Sequence, residues 1–390
     1  MQLPMPLRTI LSVHNSYQQP GGEDGVFAAE AALLRSKGLR VAQYVDSNQR
    51  ISTGVVAAAS AIWNQYSYRR IRSFANEQHP DVAHFHNTFP LISPAAYYAM
   101  RRQRIPAVQT LSNFRLICPG GLLMRNGGPC EECIDGKSLH PALIHGCYRN
   151  SRPATISVCA MITAHRAART WTRAVDLYIA LSRFARAKFV EGGFPESRVV
   201  VKPNFVDPDP GPGDGNGNYA LFAGRLSQEK GICVLAEAWR QLPHIPLLVA
   251  GDGPMNTIAW PQGATPLGYQ PRERLLDLMK GAAILVFPSI WYECAPLTII
   301  EALATGLPVI ASNIGSLPEF VEHHRTGLLF RAGDADDLAQ QVRWAFDHPD
   351  RLKEMSAAAR HEFEAKYTAE INYRRLVEIY EMAIENVHYA

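Results

Sequence analysis

Short apolar runs alternate with longer segments of helical period over nearly the whole chain, and this alternation constrains its fold more than any other feature. In the first half, RTILSVH (8–14), RVAQYVD (40–46), DVAHFHN (81–87), AVQTLS (107–112) and DLYIALS (176–182) read as strands. Helical patterns such as VFAAEAALLRSKG and RFARAKFVEGG lie between them. The second half repeats the scheme with ALFAGRL, IPLLVAG, AILVFPS and PVIAS, and with ICVLAEAWRQL as an intervening helix. Parallel strands need long crossovers, which helices supply, so the order predicts α/β class with helices on both faces of parallel sheets.

At 390 residues and 47% hydrophobic, the chain is long enough for two domains of ordinary size. The stretch PNFVDPDPGPGDGNGN (203–218) holds so much Pro, Gly, Asp and Asn that neither helix nor strand can persist there. The expected division is therefore a first domain over 1–205, a linker over 206–218 and a second domain over 219–367. A last helical stretch covers 368–390.

In open α/β sheets, ligands collect beyond the carboxyl ends of the strands, and the second half concentrates polar residues there. Arg225, Lys230 and Gly231 follow ALFAGRL, while Asp252, Gly253 and Pro254 follow IPLLVAG. Glu293 lies in the loop after AILVFPS, and Glu301 lies on the helix that starts near Leu297, with Ala295 and Pro296 leading into it. A guanidinium fork and an ammonium near a helix start can hold a diphosphate, and the two carboxylates can accept from sugar or ribose hydroxyls. Taken singly, each piece also reads as a solvated charge or a plain turn. Their recurrence at successive strand ends favours one shared site.

These residues carry a resemblance. Gly-Arg-Leu with Glu-Lys-Gly (224–226, 229–231), Gly-Asp-Gly-Pro (251–254) and Glu-x7-Glu (293, 301) resemble the retaining glycosyltransferases of family 4, glycosyl transferase group 1. His-Phe-His-Asn-Thr-Phe-Pro (84–90), Leu-Ile-Cys-Pro (116–119) and Ala-Leu-Ser-Arg-Phe (180–184) extend the likeness upstream. The resemblance implies the GT-B architecture, two Rossmann-like domains facing a central cleft, with the last helix returning to the first domain. It implies transfer of a sugar from a nucleotide-diphosphate sugar, UDP- or GDP-linked, to an acceptor hydroxyl, with retention and without a catalytic metal. In that scheme Arg225 and Lys230 bind the donor diphosphate, Glu293 meets the sugar and Glu301 holds the ribose. The amides of Ala295, Leu297 and their neighbours cap phosphate or sugar. Gly21 and Gly22, with Glu23 as a weaker candidate, form the glycine-rich loop that touches donor phosphate and borders the acceptor.

One position departs from the family pattern. Ser112 stands where such chains usually have a histidine near the donor sugar. Serine still hydrogen-bonds, but it is shorter and cannot carry a positive charge. This keeps open a second reading, a sugar-nucleotide-binding protein with weak or no transferase activity. A phosphorylase or a sugar-nucleotide epimerase on the same scaffold is a weaker alternative. His84 and His86 share one strand face and are read as structural rather than catalytic.

The net charge of +3 hides an asymmetry. Residues 1–205 carry 24 Lys and Arg against 12 Asp and Glu, and residues 206–390 carry 15 against 24. Clusters at Arg69, Arg70, Arg72 and at Arg101, Arg102, Arg104 suit an anionic membrane surface or a lipid-linked acceptor, although each alone also reads as a solvated helix face. No base-reading motif points to nucleic acid. The N-terminus lacks signal-peptide regions and no apolar run reaches bilayer length, so the expected location is cytoplasmic, at the inner membrane face if the basic surface binds lipid. Bacterial surface polysaccharide or glycolipid assembly fits this setting by analogy. Seven cysteines would then stay reduced. Cys118, Cys130, Cys133 and Cys147 cluster in a Gly- and Pro-rich insertion over about 115–150, where a structural zinc, free thiols or an oxidative disulfide are the competing readings.

Overall fold

The computed structural model describes residues 7–16, 21–48, 55–214 and 217–388. Its strands are, in chain order, β1 (Thr9–Ser16), β2 (Arg40–Ser47), β3 (Val82–Asn87), β4 (Ala107–Leu111), β5 (Met124–Arg125), β6 (Gly128–Pro129) and β7 (Leu177–Ala180). After them come β8 (Val199–Val201), β9 (Ala220–Ala223), β10 (Leu247–Ala250), β11 (Ala264–Gly268), β12 (Ile284–Phe287), β13 (Val309–Ser312) and β14 (Gly327–Phe330). The chain divides into two compact units. One comprises Met1–Leu123, Glu131–Pro203 and Asn372–Ala390, the other Met124–Cys130 and Asn204–Ile371.

The first unit is built on a six-stranded sheet in the order β2-β1-β3-β4-β7-β8, with parallel pairing throughout. Strand β3 is buried along its whole length, as expected of a central parallel strand covered on both sides. The order reverses direction between β1 and β3, so the loops after these two strands diverge from a common crevice. Polar side chains brace that point. Asn87 donates to the carbonyl of Asn15 at 2.8 Å, and the Asn15 side chain accepts from the amide of Leu91 at 2.9 Å.

The second unit carries a six-stranded parallel sheet in the order β11-β10-β9-β12-β13-β14. This is the doubly wound order in which the reversal falls between the first strand and the fourth, here β9 and β12. Residues alternate strictly across it. Ala220, Phe222, Ile284 and Val286 join one core cluster with Ile232, Trp239 and Val342. Leu221, Ala223, Leu285 and Phe287 join the other with Ile300, Leu303 and Phe363. The sheet is thus covered on both faces, and the α/β class and parallel sheets read from the sequence are the observed ones.

Candidate active site

The reversal between β9 and β12 puts the loops carrying Arg225 and Lys230 beside the loop carrying Glu293, all within the second unit. A 3-10 turn, Gln228–Lys230, follows β9 and is closed by Lys230 N donating to Ser227 O at 3.1 Å. Gly231 then takes φ 73°, and a Cβ there would sit 1.8 Å from the carbonyl oxygen of Pro288. The backbone can therefore pass directly against the end of β12, and Ile290 N donates to Glu229 O at 3.0 Å to lock the two loops together.

Lys230 and Glu293 meet as a result. Lys230 Nζ donates to Glu293 Oε1 at 2.5 Å, and Ser289 Oγ and Trp291 Nε1 donate to the same oxygen at 2.9 Å each. Ser316 Oγ holds the Glu293 carbonyl at 2.7 Å. With three donors on Oε1, the carboxylate is fixed in orientation while Oε2 takes none of those bonds and can accept from a ligand hydroxyl. The ammonium also lies 5.4 Å from the Phe287 ring centroid and 5.6 Å from that of Trp291, which adds cation–π attraction. Glu293 is 6% exposed, so this is a partly dry site in which such contacts are strong.

Glu301 lies on the helix Leu297–Ala304 and is buried as well, but its partner is Arg272, whose Nε donates to Oε1 at 2.9 Å. Burial raises the Glu301 pKa above the ordinary carboxylate value, and the Arg272 guanidinium offsets part of that rise. Sequence reasoning did not find Arg272, which lies 29 positions away. It also left out Trp291, in the loop already singled out, and Ser289, which was read as the end of the strand before it. Arg225 is exposed at the end of β9 and forms no ion pair among the described residues. Asp252 turns back on its own loop, its Oδ1 accepting from Gly253 N at 2.7 Å and Asn256 Nδ2 at 2.9 Å. Pro296 precedes the helix, and the carbonyl of Ala295 accepts from Asn204 at 3.1 Å, which leaves the Ala295 and Leu297 amides at a helix start. A separate cavity of about 430 Å³, lined by Gly306, Lys353, Ser356 and Arg360, shares no residue with this cluster.

In the first unit, Gly21 and Gly22 open the helix Gly22–Ser36, both exposed. The carboxylate that caps this start is Asp24: its Oδ2 accepts from Gly21 N at 2.8 Å and its Oδ1 meets His14 Nε2 at 2.9 Å. Ser112 follows β4 directly and is half-buried. His84 and His86 are buried, with His84 Nδ1 2.8 Å from the Tyr380 hydroxyl and Nε2 2.7 Å from Thr110 Oγ1. Burial holds the His84 pKa down at about 3 and that of His86 well below the usual value.

Glu30, His84 and His86 form the group, among the described residues, whose ligand atoms lie close enough to hold a metal ion. Both ring nitrogens of His84 are already hydrogen-bonded, and the Lys202 ammonium sits 2.6 Å from Glu30 Oε1, so this set reads as a braced charge cluster. Of the cysteines considered for zinc, Cys133 is buried and Cys118, Cys130 and Cys147 are half-buried. Cys118, Cys133 and Cys147 belong to the first unit and Cys130 to the second.

Residues 207–362 match the family of glycosyl transferases group 1. The group 1 part of the resemblance read from the motifs is met there, and Arg225, Lys230, Asp252, Gly253, Glu293 and Glu301 all fall within the matched stretch. Among similar proteins, the amylovoran biosynthesis glycosyltransferase AmsK of Erwinia amylovora is 27% identical over 53% of this chain and 56% of its own length. The putative teichuronic acid biosynthesis glycosyltransferase TuaC of Bacillus subtilis is 35% identical over 32% of this chain and 31% of its own. The chain thus spans about half the length, or less, of these relatives. A solved structure, Anabaena Alr3699/HepE in complex with UDP and glucose, superposes with a TM-score of 0.68 at 17% identity, covering 95% of this chain and 98% of that one. The fold is GT-B.

Proposed function

We propose that this protein is a retaining glycosyltransferase that moves a sugar from a nucleotide-diphosphate sugar to an acceptor hydroxyl in bacterial surface polysaccharide or glycolipid assembly. The observation that carries the proposal is the junction of Lys230 and Glu293 at the strand-order reversal of the second unit, held by Ser289 and Trp291. AmsK and TuaC, named for amylovoran and teichuronic acid synthesis, support the setting, and the UDP and glucose bound by Alr3699/HepE support the donor class.

In this reading Lys230 and Arg225 face the donor diphosphate and stabilise the charge that grows on it as the glycosidic bond to the sugar breaks. Glu293 Oε2 accepts from a sugar hydroxyl, and its orientation is set in advance by the three donors on Oε1. Glu301 accepts from the ribose, sharing its carboxylate with Arg272. The amides of Ala295 and Leu297 supply further donors to phosphate or sugar. Gly21 and Gly22 let the backbone of the first unit approach the donor phosphate. The acceptor hydroxyl attacks on the face the diphosphate leaves and passes its proton to the departing phosphate oxygen as the glycosidic bond breaks, so no side chain serves as a covalent nucleophile, and the cationic work falls to Arg225 and Lys230 rather than to a metal. A structural zinc on the cysteine-rich insertion remains a separate proposal, for which elemental analysis finding about one zinc per chain is the expected result.

The acceptor is lipid-linked or saccharide, and the basic residues of the first unit draw it or its membrane. Arg69, Arg70, Arg72, Arg101, Arg102 and Arg104 are all exposed. Among the described residues no helix is long and apolar enough to cross a membrane, which suits peripheral contact at a cytoplasmic face. Incubation with a panel of UDP- and GDP-sugars should release nucleoside diphosphate with at least one donor. A chain that binds nucleotide yet releases none with any donor or acceptor would instead be a binding protein, the outcome Ser112 keeps in view.

A further inference from the structure

Beyond the carboxyl ends of β3 and β4 in the first unit, one arginine is held in an environment that its structural bonds do not account for. The residues Phe114 to Cys118 wind into a turn after β4, with Cys118 N donating to Phe114 O at 2.8 Å, and this presents Arg115. Its guanidinium lies 4.8 Å from the ring centroid of Phe89, just past β3, and 5.0 Å from that of Tyr148. The two rings meet edge to face at 5.8 Å. Tyr148 is anchored in turn by its amide, which donates to Thr155 Oγ1 at 2.9 Å. Gly121, at φ 81°, leaves the guanidinium its room, because a Cβ there would come within 3.0 Å of Nη2.

The polar contact recorded for this half-buried cation is one carbonyl, that of Pro119, 3.2 Å from Nη1. No carboxylate among the described residues pairs with it. A second arginine, Arg149, lies 5.4 Å from the centroid of the same Tyr148 ring, exposed and likewise without an acidic partner among the described residues. Arg149 adopts left-handed backbone, φ 56°, which costs free energy in such a residue and persists where the surroundings impose it. Two guanidinium groups thus stand near one aromatic ring, and no carboxylate among the described residues offsets either charge.

We propose that Arg115 and Arg149 form an oxyanion-binding site for the acceptor, taking a phosphate, diphosphate or carboxylate group through the guanidinium forks, with Phe89 and Tyr148 as the walls. Planar forks match tetrahedral phosphate and planar carboxylate oxygens alike, so the shared chemistry is a small, multiply oxygenated anion. The assignment to an acceptor rests on the glycosyltransferase reading, whereas the anion site itself does not.

The test is isothermal titration at low salt of the full chain carrying Arg225→Gln and Lys230→Gln, which removes the cations assigned to the donor. The probes are inorganic pyrophosphate, farnesyl phosphate and methyl glucuronide, which separate free phosphate, lipid phosphate and uronate as sources. At least one should bind saturably, at one site per chain, and Arg115→Gln should weaken that binding at least tenfold and Arg149→Gln at least threefold. No saturable heat from any probe, or heat unchanged in Arg115→Gln, overturns the site. A lower melting temperature with unchanged binding marks Arg115 as a structural tie and overturns it too. Should Arg115→Gln not fold, the exposed Arg149 decides, since unchanged binding in Arg149→Gln is the overturning result. Nucleotide binding by the unsubstituted chain, measured alongside, reports separately on the donor reading.

Discussion

At the scale of single residues, the candidate site is a matter of one oxygen atom. Glu293 Oε1 gathers Lys230, Ser289 and Trp291, and this leaves Oε2 as the face for a ligand. Replacing Glu293 with Gln preserves shape but removes the charge that orders the cluster. Turnover should fall by about 100-fold or more while nucleotide binding changes little, as nucleoside diphosphate release and titration calorimetry would show. An equal loss of both would make Glu293 a general binding residue. Gly231→Ala carries a different expectation, because the new Cβ would overlap the Pro288 carbonyl in a left-handed backbone position. Stability should drop by at least about 2 kcal/mol in urea titration, and an unchanged midpoint would contradict the packing described. For Ser112→His, the family pattern leads us to expect faster turnover; identical kinetics would show that the position does not matter here. The motif residues of this site were legible because they are short-range patterns at strand ends. Arg272 was not, because what it does depends on which distant segment folds against it.

At the scale of elements, the buried ion pair between Lys202 and Glu30 ties the segment after β8 to the helix Gly22–Ser36, at 2.6 Å and with both side chains 3% exposed. Glu30 Oε2 lies 3.5 Å from His86 Nε2 and 3.8 Å from His84 Nδ1 without a hydrogen bond to either neutral ring, so Lys202 is the partner that offsets its charge. Removing one partner strands the other charge away from water. Lys202→Met should therefore cost about 3–5 kcal/mol by chemical denaturation, and a loss under about 1 kcal/mol would mean that water reaches Glu30. The strands legible in advance included β1 and β3, where apolar residues are interspersed with polar ones, and β9 and β12, which are unbroken apolar runs. Strand β11 escaped notice because it is an edge strand with a Pro and exposed side chains, and β8 and β14 are edge strands as well.

At the scale of the whole molecule, the charge asymmetry and the buried histidines each carry a consequence in solution. His84 and His86 stay neutral in the fold because burial penalises their charged forms, yet both protonate near 6.5 once unfolded. Above that value neither state takes a proton, so these groups leave stability flat. As pH falls from 6.5 toward about 3 the unfolded chain gains protons that the native state refuses, and stability declines by up to about 1.4 kcal/mol per pH unit for each histidine. Urea midpoints that hold constant between about pH 7.5 and pH 5 would contradict this. The excess of cations in residues 1–205 leads to binding to anionic vesicles that weakens with added salt, and co-sedimentation independent of lipid charge would remove the membrane proposal. The sequence alone determined the α/β class, the parallel sheets and the identity of the strand-end residues, since hydrophobic period and turn chemistry are local properties. Only the tertiary structure decided which strands are neighbours, and hence that the reversal between β9 and β12 joins Lys230 to Glu293 while Arg272 takes Glu301. Strand order is a choice among long-range pairings, and no local pattern encodes it.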